Sequence, residues 1–159
     1  MTKRLNQKVA LVTGGASGFG KATAVAFKEQ GAEVYISDIN EELGKQVSDE
    51  IGVHFISHDV TKTDDWTKVI DQIKTQSSKL NILVNNAGIG FMGDVEETTE
   101  EEWELVHKVD LDSVFFGCKY SIPLMRDSGN GSIINVSSIS GIVAGHNFAA
   151  YNSAKAAVR

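Results

Sequence analysis

Short apolar runs alternate along this chain with longer stretches in which apolar residues recur at helical spacing. The short runs predict buried strands, which lie at residues 9–12, 33–37, 53–57, 80–84 and 131–136. The longer stretches predict helices, which lie at residues 18–30, 41–51, 64–77 and 100–126, with a last helix that begins near residue 149. Strands and helices therefore follow one another from the first strand onward.

Polar residues at the starts of two helices supply the acceptors that the first turn of a helix needs. Asn40 is the predicted N-cap of the second helix. Thr98 with Glu101, or Thr99 with Glu102, fits a capping box at the start of the long helix. The sequence leaves the choice between these two registers open.

The strands are almost entirely apolar, which is typical of strands covered on both faces. Such strands, each followed by a helix, form a doubly wound parallel α/β sheet. A chain of 159 residues is long enough for one such domain and too short for two. We therefore predict a single α/β domain over residues 1–159, with its ligand site at the carboxyl ends of the strands.

Charge and cysteine content exclude several classes of function. Acidic and basic residues are interspersed and give a net charge of −6, which disfavours a nucleic-acid-binding face. The single cysteine, Cys118, cannot form an internal disulfide, and the four histidines lack metal-ligand spacing. No apolar run is long enough for a signal-peptide core or a membrane span. We expect a cytoplasmic protein that binds no nucleic acid, membrane or metal.

A glycine-rich turn joins the first strand to the first helix and reads Thr-Gly-Gly-Ala-Ser-Gly-Phe-Gly over residues 13–20. Glycines there allow a sharp turn and bring backbone N–H groups close to a pyrophosphate, and the N-terminus of the following helix favours its negative charge. Many glycine-rich turns are only turns, but a strand before this one and a helix after it favour a nucleotide site. The predicted cofactor contacts are Gly14, Ser17, Gly18, Phe19 and Gly20.

Two aspartates follow the second and third predicted strands. A carboxylate at Asp38 can accept hydrogen bonds from both ribose hydroxyls of an adenosine and would repel a 2′-phosphate, so it predicts NAD rather than NADP. Asp59, with Val60, could lie beside the adenine amino group. On spacing alone, Asp59 could equally be a simple turn residue.

Four motifs in this order resemble the short-chain dehydrogenase/reductase family. They are the glycine spacing at 14–20, Asn-Asn-Ala-Gly at 85–88, the serine at 138 and Tyr-x-x-x-Lys at 151–155. The resemblance implies a Rossmann-type fold in which Asn86, Ala87 and Gly88 contact the cofactor. It also implies that the chain is the N-terminal part of a longer protein whose C-terminal strands are absent here. Such proteins form dimers or tetramers, so we expect a homo-oligomer, with a homotetramer as one form.

In the family, residues that match Ser138, Tyr151 and Lys155 are catalytic, and the tyrosine and lysine also contact the cofactor. Ser137 and Ser140 compete with Ser138, which is chosen from the family's Ser-Ser register. Residues four apart share one face of a helix, so the Lys155 ammonium can favour the phenolate of Tyr151. A phenol balanced in this way can give a proton to a ketone oxygen or take one from an alcohol.

One residue departs from the family pattern. Asp110, in Val-Asp-Leu-Asp-Ser-Val-Phe, occupies the place of the family's catalytic asparagine, which marks a helix kink and helps to hold a water beside the lysine. We include Asp110 among the predicted catalytic residues. We expect its carboxylate within water-mediated reach of Lys155, which leaves the details of the proton relay open.

The predicted function is NAD-dependent interconversion of a secondary alcohol and a ketone by hydride transfer, with Tyr151 as general acid/base. A small alicyclic or aliphatic alcohol is the favoured substrate class. Nucleotide-sugar epimerases and dehydratases share Tyr-x-x-x-Lys, but they usually carry a Gly-x-x-Gly-x-x-Gly turn, which this chain lacks. A non-catalytic NAD-binding module is the third hypothesis.

Overall fold

The computed structural model describes residues 3–159, which form a parallel sheet with helices on both faces. The strands are β1 (Val9–Thr13), β2 (Glu33–Asp38), β3 (His54–Ser57), β4 (Ile82–Asn85) and β5 (Ser132–Asn135). The α-helices are α1 (Gly18–Glu29), α2 (Glu41–Ile51), α3 (Thr63–Ser77), α4 (Glu100–His107), α5 (Ser113–Asp127) and α6 (Ala149–Val158). A π-helical turn, Lys108–Asp112, joins α4 to α5, and a 3₁₀ turn, Ile139–Gly141, precedes α6.

The sheet has the strand order β3-β2-β1-β4-β5, with every neighbouring pair parallel. The chain moves outward from β1 to β3 and then returns to the other side of β1 to form β4 and β5. The winding direction therefore reverses between β1 and β4, where ligands bind in sheets of this kind. The predicted doubly wound, Rossmann-type fold is confirmed.

The core occupies both faces of the sheet. On one face Leu11 and Leu83 pack with the fully buried Trp66 of α3. On the other face Val34 and Ile36 pack against α1 and α2. All five residues of β1 are buried, because this strand lies at the centre of the sheet with helices on each side. β1 thereby provides a rigid support for the loop that follows it.

The caps resolve the choice that the sequence left open. Asn40 caps α2 by accepting a hydrogen bond from the backbone N–H of Leu43. At the start of α4, Thr99 and Glu102 form the capping box, with each side chain bonded to the other's backbone N–H. Of the two registers, the second is therefore the one that forms.

The predicted continuous helix over residues 100–126 is wrong. The backbone widens into the π-helical turn at Lys108–Asp112 before α5 begins. Two contacts support the wider turn: the hydroxyl of Ser113 donates to the carbonyl of Val109, and the buried carboxylate of Asp110 accepts from the backbone N–H of Ile89. Turns of this kind occur frequently at functional sites.

Among residues 3–159, no helix combines the length and the apolar character that crossing a bilayer requires.

Candidate active site

Two adjoining cavities lie at the carboxyl ends of the strands. The first, of about 480 Å³, is bounded by the glycine turn and the ends of β2 and β3. The second, of about 660 Å³, is bounded by the end of β5 and by α6. The residues common to both are Phe19, Asn86, Gly88 and Ile89. The two cavities therefore form one elongated cleft across the point where the winding reverses.

The predicted site residues divide between these cavities. The first is lined by Gly14, Ser17, Gly18, Phe19, Asp38, Asp59, Val60, Asn86, Ala87 and Gly88. The second is lined by Asp110, Ser138, Tyr151 and Lys155. Gly20 lines neither cavity, because it is buried where a Cβ atom would collide with the carbonyl of Gly14. Its absent side chain allows α1 to pack closely against the turn.

The glycine turn is held to the neighbouring loop by side-chain hydrogen bonds. The hydroxyl oxygen of Thr13 accepts from the backbone N–H groups of Asn86 and Ala87, each at 3.1 Å. The Asn86 amide donates to the carbonyls of Thr13 and Gly14 at 2.8 and 3.2 Å. Gly18 has a φ of +51° and open space beside its Cα. The backbone of the turn can therefore approach a ligand at Gly18. Thr13, which was not a predicted site residue, anchors the start of the turn.

Asp38 lies directly against the glycine turn. One carboxylate oxygen accepts from the backbone N–H of Ala16 at 3.1 Å, and the other accepts from that of Asn40 at 3.0 Å. The carboxylate thus reinforces the turn and also lines the first cavity. A negative charge stands at this end of the cleft.

Asp59 forms a turn and also lies on the wall of the first cavity. It lines the first cavity, and its carboxylate also accepts hydrogen bonds from the backbone and hydroxyl of Thr61. Partial burial raises the pKa of Asp59. The hydrogen bonds from Thr61 and the ion pair with Lys62 at 3.1 Å lower this pKa by more, so the net pKa lies below the usual value. The carboxylate is therefore charged at neutral pH.

A buried histidine lies beneath this end of the cleft. His58 Nδ1 is 3.0 Å from the hydroxyl oxygen of Ser37, and its ring packs edge-on against Trp66. Burial lowers the pKa of His58 to about 4, although the nearby charges of Asp65 and Asp59 act in the opposite direction. His58 is accordingly neutral at pH 7 and links the ends of β2 and β3.

At the other end, α6 presents Tyr151 and Lys155 to the second cavity. The Lys155 Nζ atom lies 5.6 Å from the centre of the Tyr151 ring. The ammonium is buried and donates to the carbonyl of Val136 at 3.1 Å. The structure therefore places both side chains of the Tyr-x-x-x-Lys motif on one face of the helix, as their spacing predicts.

Asp110 contacts this lysine directly. One carboxylate oxygen lies 3.1 Å from Lys155 Nζ, in a close ion pair that is not a well-aligned hydrogen bond, and the other accepts from the Ile89 N–H at 2.8 Å. Asp110 is 0% exposed, and this burial raises its pKa despite the Ile89 N–H and the Lys155 charge. The expectation of water-mediated reach is therefore wrong: the π-helical turn brings the carboxylate into contact.

The three candidate serines differ in their hydrogen bonds. Ser138 lines the second cavity, and its hydroxyl oxygen accepts from the backbone N–H of Ser140, which leaves the hydroxyl hydrogen available to donate. Ser137 also lines this cavity, but its hydroxyl donates to the backbone carbonyl of Lys155 at 2.7 Å. Ser140 is not among the lining residues. The geometry favours Ser138.

Side-chain hydrogen bonds hold α6 in place from several directions. The Ser137 hydroxyl donates to the Lys155 carbonyl, and the Asn152 side chain both accepts from the Gly145 N–H and donates to the Gly145 carbonyl. Ser153 Oγ lies 3.0 Å from His107 Nε2. No role was predicted for His107, because it lies far along the chain from Ser153, which it contacts. These links fix the orientation of the helix that carries Tyr151 and Lys155.

The fold and the cleft at its switch point define a Rossmann-type α/β domain. The sequence model of the short chain dehydrogenase family matches residues 8–159. This chain belongs to the short-chain dehydrogenase/reductase family.

The chain is similar to several characterised relatives. It is 45% identical to a cyclopentanol dehydrogenase from Comamonas sp. (strain NCIMB 9872), over 98% of this chain and 64% of the relative. It is 44% identical to a 3-beta-hydroxysteroid dehydrogenase from Comamonas testosteroni, over 99% of this chain and 63% of the relative. It is 43% identical to an NADP-dependent (R)-specific alcohol dehydrogenase from Lentilactobacillus kefiri, over 100% of this chain and 65% of the relative.

The fold is also similar to that of a solved structure. The crystal structure of gox2181 superposes with a TM-score of 0.95 at 30% identity, over 99% of this chain and 64% of that one. The chain thus spans slightly less than two thirds of the length of the relatives that it matches.

Proposed function

We propose that this protein is an NAD-dependent oxidoreductase that interconverts a secondary alcohol and a ketone. The observation that carries the proposal is the continuous cleft. It begins at the glycine turn and ends at the buried lysine beside Tyr151. Residues 1–159 are proposed to act as one nucleotide-binding domain that forms the N-terminal part of a longer chain.

The cleft fits a dinucleotide. Gly18 offers an open backbone surface at the N-terminus of α1, where a pyrophosphate is favoured by helix N–H groups. Asp38 and Asp59 would hold the adenosine half, and the second cavity would receive the nicotinamide half. The nicotinamide cofactor supplies hydride acceptance and donation when it is bound, and the protein supplies position and charge.

Within the second cavity, Tyr151 is the proposed general acid/base. Its hydroxyl would take the proton of an alcohol during oxidation, or return one to a ketone oxygen during reduction. Lys155 favours the phenolate by its positive charge. Ser138 would donate a hydrogen bond to the substrate oxygen and hold it near the phenol.

Cofactor choice rests on Asp38. The carboxylate at the end of β2 disfavours the additional phosphate of NADP by charge repulsion. The relative from Lentilactobacillus kefiri is named as NADP-dependent, so family membership alone does not determine this choice. We therefore propose NAD on the basis of Asp38.

We propose that the substrate is a small alicyclic or aliphatic secondary alcohol. We also propose that the protein is a cytoplasmic homo-oligomer. The relative named for cyclopentanol acts on a small ring alcohol, which supports the substrate class, and the relative named for 3-beta-hydroxysteroid acts on a larger ring alcohol. Apolar side chains exposed on α4 and α5, including Phe115 and Trp103, support burial in a dimer or tetramer contact. The net charge of −6 argues against nucleic acid as a partner.

The direct test is a panel of cyclic and linear alcohols and ketones, assayed with the full-length protein and with NAD or NADP. Formation or loss of the reduced nicotinamide is followed by absorbance. We expect turnover of secondary alcohols with NAD. Tight NAD binding without turnover of any member would instead support a non-catalytic module.

A further inference from the structure

We infer that the buried carboxylate of Asp110 biases this site toward the oxidised cofactor. An acid at this position favours binding of NAD⁺ relative to NADH, compared with the amide that the family pattern places there. The inference rests on the proposed function, because it assumes that the nicotinamide ring occupies the second cavity. It extends that function by assigning Asp110 a role in the balance between the two redox forms.

The charge inventory of the second cavity carries this inference. Among the described residues that line it, Asp110 is the acidic side chain and Lys155 is the basic one. Their side chains meet at 3.1 Å and are almost fully buried, at 0% and 5% exposure. The two charges therefore offset each other, and the cavity wall has a net charge close to zero.

The neighbouring groups do not replace this negative charge. From α6, the phenol of Tyr151 faces the cavity beside Lys155. From α4, His107 lies one helical turn before Asp110. Its ring nitrogens form hydrogen bonds with the Trp103 carbonyl and the Ser153 hydroxyl. None of these groups carries a negative charge at pH 7 while the phenol is protonated. With an amide at position 110, the cavity wall would therefore carry the uncompensated charge of Lys155.

The two redox forms of the cofactor sense this difference unequally. The oxidised nicotinamide ring is positively charged, whereas the reduced ring is neutral. An uncompensated ammonium repels the oxidised ring, and this repulsion is weakly screened because the Lys155 side chain is buried. Asp110 removes most of this repulsion, so its effect falls on NAD⁺ and leaves NADH nearly unaffected.

The test is to measure the dissociation constants of NAD⁺ and NADH at pH 7 for the wild-type full-length protein and for Asp110→Asn. We expect the ratio of Kd for NAD⁺ to Kd for NADH to rise roughly threefold to tenfold in the variant. Asp112→Asn is the matched control, because Asp112 lies in the same π-helical turn but is exposed to solvent. The control should leave the ratio unchanged.

A second variant should shift the ratio of the two dissociation constants in the opposite direction. Lys155→Met removes the positive charge, so at an alkaline pH that keeps the Asp110 carboxyl ionised it should lower this ratio, even if it weakens the binding of both nucleotides. This variant decides the question if Asp110→Asn does not fold.

Equal weakening of both forms by Asp110→Asn would indicate a structural role only and would overturn the inference. A change in the opposite direction would overturn it as well. If the wild-type protein binds neither nucleotide, the proposed function fails together with the inference. Binding of both forms with an unchanged ratio removes the inference alone.

Discussion

The two ends of the cleft are built in different ways. At the end that we assign to adenosine, the glycine turn follows a fully buried strand and is fixed by backbone bonds, such as that from the Gly15 N–H to the Ser37 carbonyl. At the other end, α6 is held against the neighbouring loops by individual side-chain hydrogen bonds. The first end depends on the fold as a whole, whereas the second depends on a few side chains.

This difference indicates where each property of the protein can be changed. Substitutions near β1, β2 and β3 should act on stability and on nucleotide affinity, because the backbone that continues from these strands also forms the wall of the first cavity. Substitutions near α6 should act on rate and on its pH dependence. Four substitutions test this division.

The largest expected effect is that of Tyr151→Phe at the α6 end. Loss of a general acid/base lowers rates by roughly 10²–10⁴-fold, so kcat should fall by that factor. Affinity for NAD and the free energy of unfolding should change little, because the phenol oxygen makes no hydrogen bond to the described part of the protein in this structure.

The matched control for this change is Tyr120→Phe. Tyr120 lies on α5 and packs against the core away from the cleft, so the control should retain activity. Steady-state kinetics of both variants decide the outcome. Full activity in Tyr151→Phe would show that proton transfer does not depend on this phenol.

The next effect concerns stability at the adenosine end. The pKa of His58 is lowered by burial from 6.5 to about 4 in the folded protein. The unfolded chain therefore takes up the proton first as the pH falls. The contribution of neutral, buried His58 to the free energy of unfolding is fully present above pH 6.5 and is lost as the pH approaches 4. The linkage amounts to about 3 kcal/mol of unfolding free energy over this window.

Urea unfolding at several pH values measures this loss. In His58→Asn, the decline between pH 7 and 4 should be shallower than in the wild-type protein. His146→Asn, which changes an exposed histidine, should reproduce the wild-type curve. Carboxylates with lowered pKa values, such as Asp59, add a further loss at still lower pH. Parallel curves for wild type and His58→Asn would remove the histidine from this account.

A third effect concerns cofactor selection. Because Asp38 disfavours a 2′-phosphate, NAD should bind at least tenfold more tightly than NADP, a difference of about 1.4 kcal/mol. Asp38→Ala should reduce this preference, and Asp49→Asn, an exposed acid on α2, should not. Calorimetric titration with both nucleotides measures the preference. Equal or tighter binding of NADP by the wild-type protein would contradict the assignment.

Sequence reasoning predicted the adenosine end more completely than the α6 end, for a physical reason. The glycine turn and Asp38 each lie at the end of a strand, and strand ends in a parallel sheet meet at one edge. Periodicity is therefore sufficient to place them near one another. The order of the strands and helices was predicted for the same reason, apart from the π-helical turn that divides the long helix.

The contacts that were missed join residues distant in the chain. An apolar repeat does not distinguish an α-turn from a π-turn, so the break at Lys108–Asp112 could not be located. Without that break, Asp110 could not be placed against Lys155, nor could His107 be placed against Ser153. The resemblance identified the position of Asp110, but only the fold shows its direct ion pair with Lys155.

The smallest expected effect is the most specific to the α6 end. In Asp110→Asn, the charge of Lys155 is no longer offset, so it favours the Tyr151 phenolate more strongly. Alcohol oxidation requires the phenolate, and its rate should rise with pH at a lower midpoint in the variant. We expect a shift of a fraction of a pH unit up to about one unit, where one unit corresponds to about 1.36 kcal/mol. The measurement is the pH profile of kcat/KM for oxidation, with Asp112→Asn as the control that should match wild type. Activity should persist in the variant, since no proton is transferred to or from Asp110 in the proposed mechanism. Superimposable profiles, or a shift to higher pH, would show that the ion pair does not act on the phenol.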